Sequence, residues 1–405
     1  MKAVRWENPN ASAEDSRPHL LFLAHCVPNP PDKGEKIRAF HEVRFLARRY
    51  RIHLVCFGRT DSELEQALEL RDACASIYAE RFYAARALAL AGVRFAAGDC
   101  LNRAYYDSRT MKRYVRELAR RVPFLASLAY SVVMVPYAPE GAPVVLDMID
   151  VDSEKWFHYG QVRRPGFLYT LEARRLRDFE SRCTAAAKCT LLVTQNEESV
   201  LRSFASGRTG YFENGADIGH FDGLPHPAPP GLTGARFLVF IGAMDYFPNI
   251  DAASWFASEI FPGLRRRDPA LRFVIAGKGA GKNVQALAKI DGVIVTGAVP
   301  DVRPYLANAR AIVVPLRLAR GIQNKVLDGL AMGRAVFAST QVCKTFGSAL
   351  PHGIVPCHSA AEWIDRLSEA CAAEPSFDPH IRESVIDRFT WETNLQVLER
   401  TISSA

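Results

Sequence analysis

The chain has 405 residues, enough at roughly 100–200 residues per domain for two or three domains. With 48% apolar and 23% charged residues it is an ordinary globular composition, which excludes collagen-like, disordered and disulfide-stapled classes. Lys and Arg number 51 against 44 Asp and Glu, and an excess of +7 is too thin for a dedicated nucleic-acid binder. It suits anionic small substrates or a membrane surface.

The first eighteen residues are polar, with no apolar signal core, and no apolar run reaches the ~18–20 residues of a spanning helix. A cytoplasmic protein with at most peripheral attachment is expected. Short aliphatic runs predict strands over 19–25, 51–57, 130–135, 144–149, 191–194 and 211–213, with helical patterns over 35–48 and 62–73. At 224–234, LPHPAPPGLTG breaks any helix or central strand and predicts a linker. Beyond it, strands are expected over 237–242, 271–277, 293–296 and 311–315, and helices over 252–264, 284–290, 322–332 and 387–402.

Nearly continuous apolar strands alternating with amphipathic helices mean parallel sheets buried on both faces. The fold class is therefore α/β, as two Rossmann-like domains facing across a cleft. The expected division is 17–223, a linker 224–235, 236–376, and a segment 377–405 whose helix returns to the first domain. Ligands are expected at the carboxyl ends of the strands. Nine scattered cysteines, an odd number without metal-type spacing, read as reduced structural thiols.

The segment 313–338, VVPLRLARGIQNKVLDGLAMGRAVFA, carries the most chemistry. A strand ends at Pro315, a loop holds Arg317 and Arg320, Gly321 opens a helix, and Lys325 and Asp328 share one helical face. The unpaired N–H groups of a helix start favour a phosphate, Lys325 adds a point charge, and Asp328 can accept from a ribose diol. Those are the needs of a nucleoside diphosphate. By contrast GKGAGKN at 277–283 is not a P-loop, because Ala276 stands where the first glycine belongs and Asn283 where Ser or Thr would.

GIQNKVLDGLAMGRAV resembles the donor-binding signature of retaining GT-B glycosyltransferases of family 4. The resemblance extends to the sugar transferases associated with PEP-CTERM/exosortase A exopolysaccharide systems. It is carried by PNPPDKGEKIRAFHEVRFLA after Cys26, by DMIDVDSEKW at 147–156, ENGADIGHF at 213–221, FIGAMDYFPNIDA at 240–252 and RGIQNKVLDGLAMGRAV at 320–336. It implies a metal-independent, retaining transfer of sugar from a nucleoside diphosphate sugar to an exopolysaccharide precursor, with a lipid-linked glycan acceptor and no cofactor.

Many family 4 enzymes have two glutamates eight apart; here Arg320 and Asp328 stand in those places. Arg317, Arg320 and Lys325 are therefore expected to neutralise the diphosphate, with Lys325 and Arg320 catalytic. Gly321, Ile322, Gln323 and Asn324 complete the helix start, and Gly242 and Asn249 form another lip. Gly34 and Lys36, in the first turn after a Pro-rich loop, line the active site if the resemblance holds. Asp147, Asp150 and Asp152 crowd the end of one strand, and Asp150 or Asp152 is the candidate for orienting or deprotonating the acceptor hydroxyl. Asp152 or Ser153 is equally placed to cap the helix that follows. Asp147, Lys155 and Trp156 are assigned to the acceptor side, and the turn at Glu213–Asp217 to the crevice border.

Arg109, Lys112, Arg113, Arg116 and Arg120 form a basic stripe beside the apolar stretch 82–97, so an anionic membrane surface at the inner face of the plasma membrane joins the expected partners. No nucleic acid is expected. Two alternatives stay open: a nucleotide-sugar epimerase of the same architecture, and a non-catalytic nucleotide-sugar-binding subunit, the latter because of Arg320.

Overall fold

The computed structural model describes residues 2–9, 15–319, 321–347 and 349–404. The chain forms two compact units, Met1–Glu213 with Leu395–Ala405, and Asn214–Asn394. The first contains eight strands: β1 (Ala3–Glu7), β2 (His19–Ala24), β3 (Arg51–Gly58), β4 (Cys74–Arg81), β5 (Phe124–Tyr130), β6 (Val144–Ile149), β7 (Cys189–Leu192) and β8 (Thr209–Tyr211). Their order is β1-β4-β3-β2-β5-β6-β7-β8. All neighbours are parallel except β1, which runs antiparallel along β4.

Helices α1 (Gly34–Leu46), α2 (Asp61–Ala67), α3 (Ala84–Ala96), α4 (Leu101–Tyr105), α5 (Arg109–Ala119), α6 (Asp152–Val162), α7 (Gly166–Ala186) and α8 (Gln195–Arg202) connect them. Thr60, Ser108 and Thr194 begin α2, α5 and α8 by accepting from the backbone N–H three residues on. Elsewhere a distant buried glutamate does this: Glu172 accepts from Leu101 and Asn102 at the start of α4, and Glu197 from Val151 and Glu180 from Ser153 at the start of α6.

The second unit is a six-stranded, wholly parallel sheet in the order β11-β10-β9-β12-β13-β14. Its strands are β9 (Phe237–Ile241), β10 (Arg272–Ala276), β11 (Val293–Gly297), β12 (Ala311–Val314), β13 (Val336–Ser339) and β14 (Ile354–Cys357). The helices are α9 (Phe247–Trp255), continuing through a π turn into α10 (Phe261–Arg267), then α11 (Lys282–Gln285), α12 (Arg303–Asn308), α13 (Asn324–Ala331), α14 (Thr340–Lys344), α15 (Ala360–Ala372) and α16 (Pro379–Ile386); α17 (Trp391–Ser403) starts in this unit and from Leu395 belongs to the first. Both faces of this sheet are closed by large apolar side chains; Phe256, Phe273 and Trp363 are buried together. Burying each contributes about 2–3 kcal/mol.

Several expectations change. Residues 3–7 form an edge strand although their composition is mixed, because pairing with β4 supplies the partner the sequence alone does not show. The apolar run 130–135 is not a strand: β5 ends at Tyr130, Ser131 takes a φ of 81°, and Val132–Tyr137 coils as a 3-10 turn containing Pro136. The helix expected from Gly321 begins at Asn324, since Gly321 has a φ of 62° and the chain turns there first. The Pro-rich stretch 224–235 lies inside the second unit. Residues ahead of it already belong there, because Ala216 N–H donates to Phe389 O at 2.7 Å and Arg382 donates to Ile218 O and Phe221 O. Residues from Leu395 onward pack with the first unit, where Glu399 pairs with Arg49 at 2.6 Å. The nine cysteines are free and buried. No described helix is long and apolar enough to cross a membrane.

Candidate active site

Each sheet is wound outward in both directions from its first parallel strand, so each has a switch point where loops diverge at the carboxyl edge. In the second unit this lies between β9 and β12. The loop after β9 starts at Gly242, where a Cβ would meet Asn249 Nδ2 at 2.9 Å. Behind it Gly277 is required by close approach, since its Cβ would lie 1.8 Å from Gly242 O. That is the role of the glycine-rich 277–283 turn: it backs the Gly242 loop, with Met244 N–H donating to Lys278 O at 2.7 Å.

The segment after β12 supplies the charge. Lys325, second residue of α13, donates its amine to Asn249 Oδ1 at 3.0 Å and lies 5.6 Å from the Phe240 ring centroid. Asn249 in turn donates to Ala243 O at 2.9 Å, so the two loops of the switch point hold one cation between them. Gln323 precedes α13 without a side-chain cap, and its amide bonds to Gly321 O. The first-turn N–H groups thus have no side-chain acceptor from their N-cap. Asn324 Oδ1 accepts from Asn214 Nδ2 at 3.0 Å, while Asn324 Nδ2 is buried with no hydrogen-bond partner among the described residues. An enclosed donor of this kind costs free energy unless a ligand oxygen meets it.

Burial lowers the Lys325 ammonium to a pKa of about 8, opposed by Asp328. Burial raises the Asp328 carboxyl to about 8; Lys325 pulls it down and Asp217 pushes it up further. At neutral pH the carboxyl is therefore largely protonated and the ammonium largely charged, which leaves net positive charge at the helix start. Ile322 is a core residue, buried with the β-sheet cluster, so only its backbone can face a ligand. Arg317 is not a free phosphate ligand: its guanidinium forms an ion pair with Asp251, 66 residues away and not linked to it by local pattern. Arg320 lies outside the described residues.

In the first unit the switch point lies between β2 and β5. There the His25 ring stacks on Tyr130, 5.6 Å between centroids and 8° from parallel, and Tyr130 donates its hydroxyl proton to Glu35 O. Tyr106 meets His25 edge-on, and Arg59 donates to Tyr106 Oη at 3.3 Å. None of these four was singled out from sequence, although His25 and Arg59 stand just past strand ends. His25, Cys26 and Glu35 have ligand-type atoms within 4.8 Å of one another. His25 holds the Glu35 carboxyl down to about 2, whereas burial keeps the Cys26 thiol well above its ordinary value and so protonated.

Gly34 begins α1 with open space where a Cβ would stand, but Lys36 turns inward and is committed to Glu63 at 2.8 Å. Asp147 is likewise an interior group, with no exposed surface: Arg38 donates to it from Nε at 2.7 Å and from a terminal nitrogen at 3.2 Å. Its expected place on the acceptor side is corrected by that pairing. The three aspartates are therefore not equivalent. Asp147 points into the core, Asp152 pairs with Lys155 at 2.8 Å in α6, and Asp150 follows Ile149, whose φ of 71° is a strained value for a β-branched residue. Neither Asp152 nor Ser153 is the N-cap; Val151 is, and Ser153 bonds to Glu180 instead. Trp156 packs with Tyr159 and Tyr169 at 6.3 and 5.8 Å.

Residues 235–372 match the family model described as Glycosyl transferases group 1. Among solved structures, a sucrose-phosphate synthase from Thermosynechococcus elongatus aligns at a TM-score of 0.66 with 15% identity, covering 96% of this chain and 100% of that one. Anabaena HepE in complex with UDP aligns at 0.66 with 13% identity and the same coverage. The chain has the GT-B fold. A UDP-forming α,α-trehalose-phosphate synthase from Burkholderia vietnamiensis aligns at 0.59 with 12% identity over 96% and 100% of the two chains. No curated protein matches in sequence. The family match and the fold together support a glycosyltransferase.

Proposed function

We propose that this GT-B protein is a metal-independent, retaining family 4 enzyme, related to the PEP-CTERM/exosortase A sugar transferases. It moves a hexose from a nucleoside diphosphate sugar to a lipid-linked exopolysaccharide precursor at the cytoplasmic face of the membrane. The observation that carries this reading is Lys325 at the uncapped start of α13, fixed by Asn249 at the β9/β12 switch point. The UDP complex of HepE supports a nucleotide donor.

The departing diphosphate needs positive charge as the glycosidic bond breaks. In this reading Lys325, the helix N-terminus and the buried amide of Asn324 provide it without reorganising during the reaction. Asp328 accepts from the ribose diol, and Asp150 or Asp152 orients the acceptor hydroxyl. The test is calorimetric binding of UDP and GDP, with release of nucleoside diphosphate measured with and without acceptor extract. Binding that Lys325→Ala weakens and release that needs acceptor are expected. Turnover of donor alone would instead mean an epimerase, and binding without any turnover a non-catalytic subunit.

A further inference from the structure

Helix α3 departs from the packing of its neighbours. It buries only Ala91, while Leu88, Leu90 and Val93 are exposed by 57%, 54% and 71%. By contrast α5 turns Met111, Tyr114, Val115 and Leu118 into the core. Leu90 and Val93, three residues apart, share one side of the helix, with Leu88 on the flank, and an apolar side held in water is the mark of a surface that is covered by something else.

That side is held out firmly. Arg94 near the end of α3 pairs with Asp107 at 2.6 Å, Asp107 also binds Lys112 of α5, and Arg175 of α7 lies 4.5 Å from the Phe95 ring centroid. The shared Asp107 sets the first turns of α5 beside α3. There Arg109 and Arg113 are exposed, as is Arg86 on α3 itself, and none of the three has an ion pair among the described residues. Because β4 is parallel to β3 and β2, α3 starts at the carboxyl edge of the sheet, the edge that carries His25 and Tyr130.

We propose that α3 lies in the headgroup layer of an anionic bilayer, with Leu90 and Val93 immersed, Leu88 on the flank, and Arg86, Arg109 and Arg113 on lipid phosphates. The purpose of this surface rests on the lipid-linked acceptor proposed above, but its evidence does not. Unpaired cations flanking an apolar side call for an anionic partner. A second copy of the same face would set arginines against arginines across a two-fold axis, which opposes pairing.

The test uses the full chain with vesicles of phosphatidylglycerol and phosphatidylcholine, and with phosphatidylcholine alone. Sedimentation with the mixed vesicles, weakened by salt and by omitting phosphatidylglycerol, is the expected result. Each arginine contributes about fivefold near an anionic surface, so R86Q/R109Q/R113Q loses about a hundredfold. L88S/L90S/V93S loses more than tenfold. All six side chains are on the surface, so both variants keep UDP binding, which checks the fold. Absence of binding to anionic vesicles, or binding that neither variant weakens, overturns the proposal. So does a lipid-free dimer that L88S/L90S/V93S converts to monomer, since a second copy would then cover α3. Transfer to acceptor dispersed in detergent is measured in parallel: it tests the glycosyltransferase reading separately, because it needs no bilayer.

Discussion

The Lys325 amine and the Asn249 side-chain oxygen are 3.0 Å apart, although 76 residues separate them in the chain. Asn249 is itself bonded to Ala243 O, so the position of the cation is set by the loop after β9 as well as by its own helix. Lys325→Ala is expected to weaken UDP binding by about 10–100-fold, the scale of a charge-assisted contact, with unchanged circular dichroism. Asn249→Ala keeps the charge but releases it, and about fivefold is expected in the same calorimetric titration.

Binding depends on pH through the same helix. Both Lys325 and Asp328 titrate at about 8, so raising the pH through that value removes positive charge from one and adds negative charge to the other. UDP affinity is therefore expected to be flat near neutrality and to fall at more alkaline pH. Lys325→Arg, which stays charged, should remove the lysine's share of that fall and leave the part due to Asp328; affinity that rises with pH would contradict the assignment.

Gly277→Ala tests how the loop is backed. Its new methyl would meet Gly242 O at 1.8 Å, against backbone that cannot rotate away. A stability loss of about 1–3 kcal/mol by urea unfolding is expected, together with weaker UDP binding because the Gly242 loop must move.

The Arg38–Asp147 pair is fully buried. Asp147→Ala leaves the guanidinium to Glu42 alone, whose carboxylate lies 3.3 Å away and is equally buried, and is expected to cost about 3 kcal/mol in urea unfolding. The triple variant Arg38→Met, Glu42→Leu and Asp147→Leu should cost less than Arg38→Met alone, which strands two buried carboxylates, since no charge is then left buried.

Glu180 is held near a pKa of about 8, chiefly by burial, against an ordinary carboxyl value of 4.5. The folded form thus keeps a proton that the unfolded chain releases. Stability should fall as pH rises from about 4.5 to 8, by on the order of a few kcal/mol. In Glu180→Gln, which still accepts from Ser153 N–H, thermal unfolding should lose most of that pH dependence across the window.

Much of this was legible in the residues. Apolar runs such as FLVFIG and LRFVIAG fix parallel strands because only a doubly covered sheet can bury them. GIQNKVLDG places a cation and a carboxylate on one helical face by spacing alone. What spacing cannot show is the partner of a charge. Lys36 with Glu63, Asp147 with Arg38, and Arg317 with Asp251 all read as site residues from sequence, yet each is occupied by a residue 27 to 109 positions away.

Sequence by itself determined the alternation of strands and helices and the chemistry of the α13 segment, because both depend on near neighbours in the chain. Only the tertiary structure decided which charges stay available, which glycines back a loop, and which apolar helix faces outward. Those depend on distances between segments remote in sequence, and local pattern does not encode them.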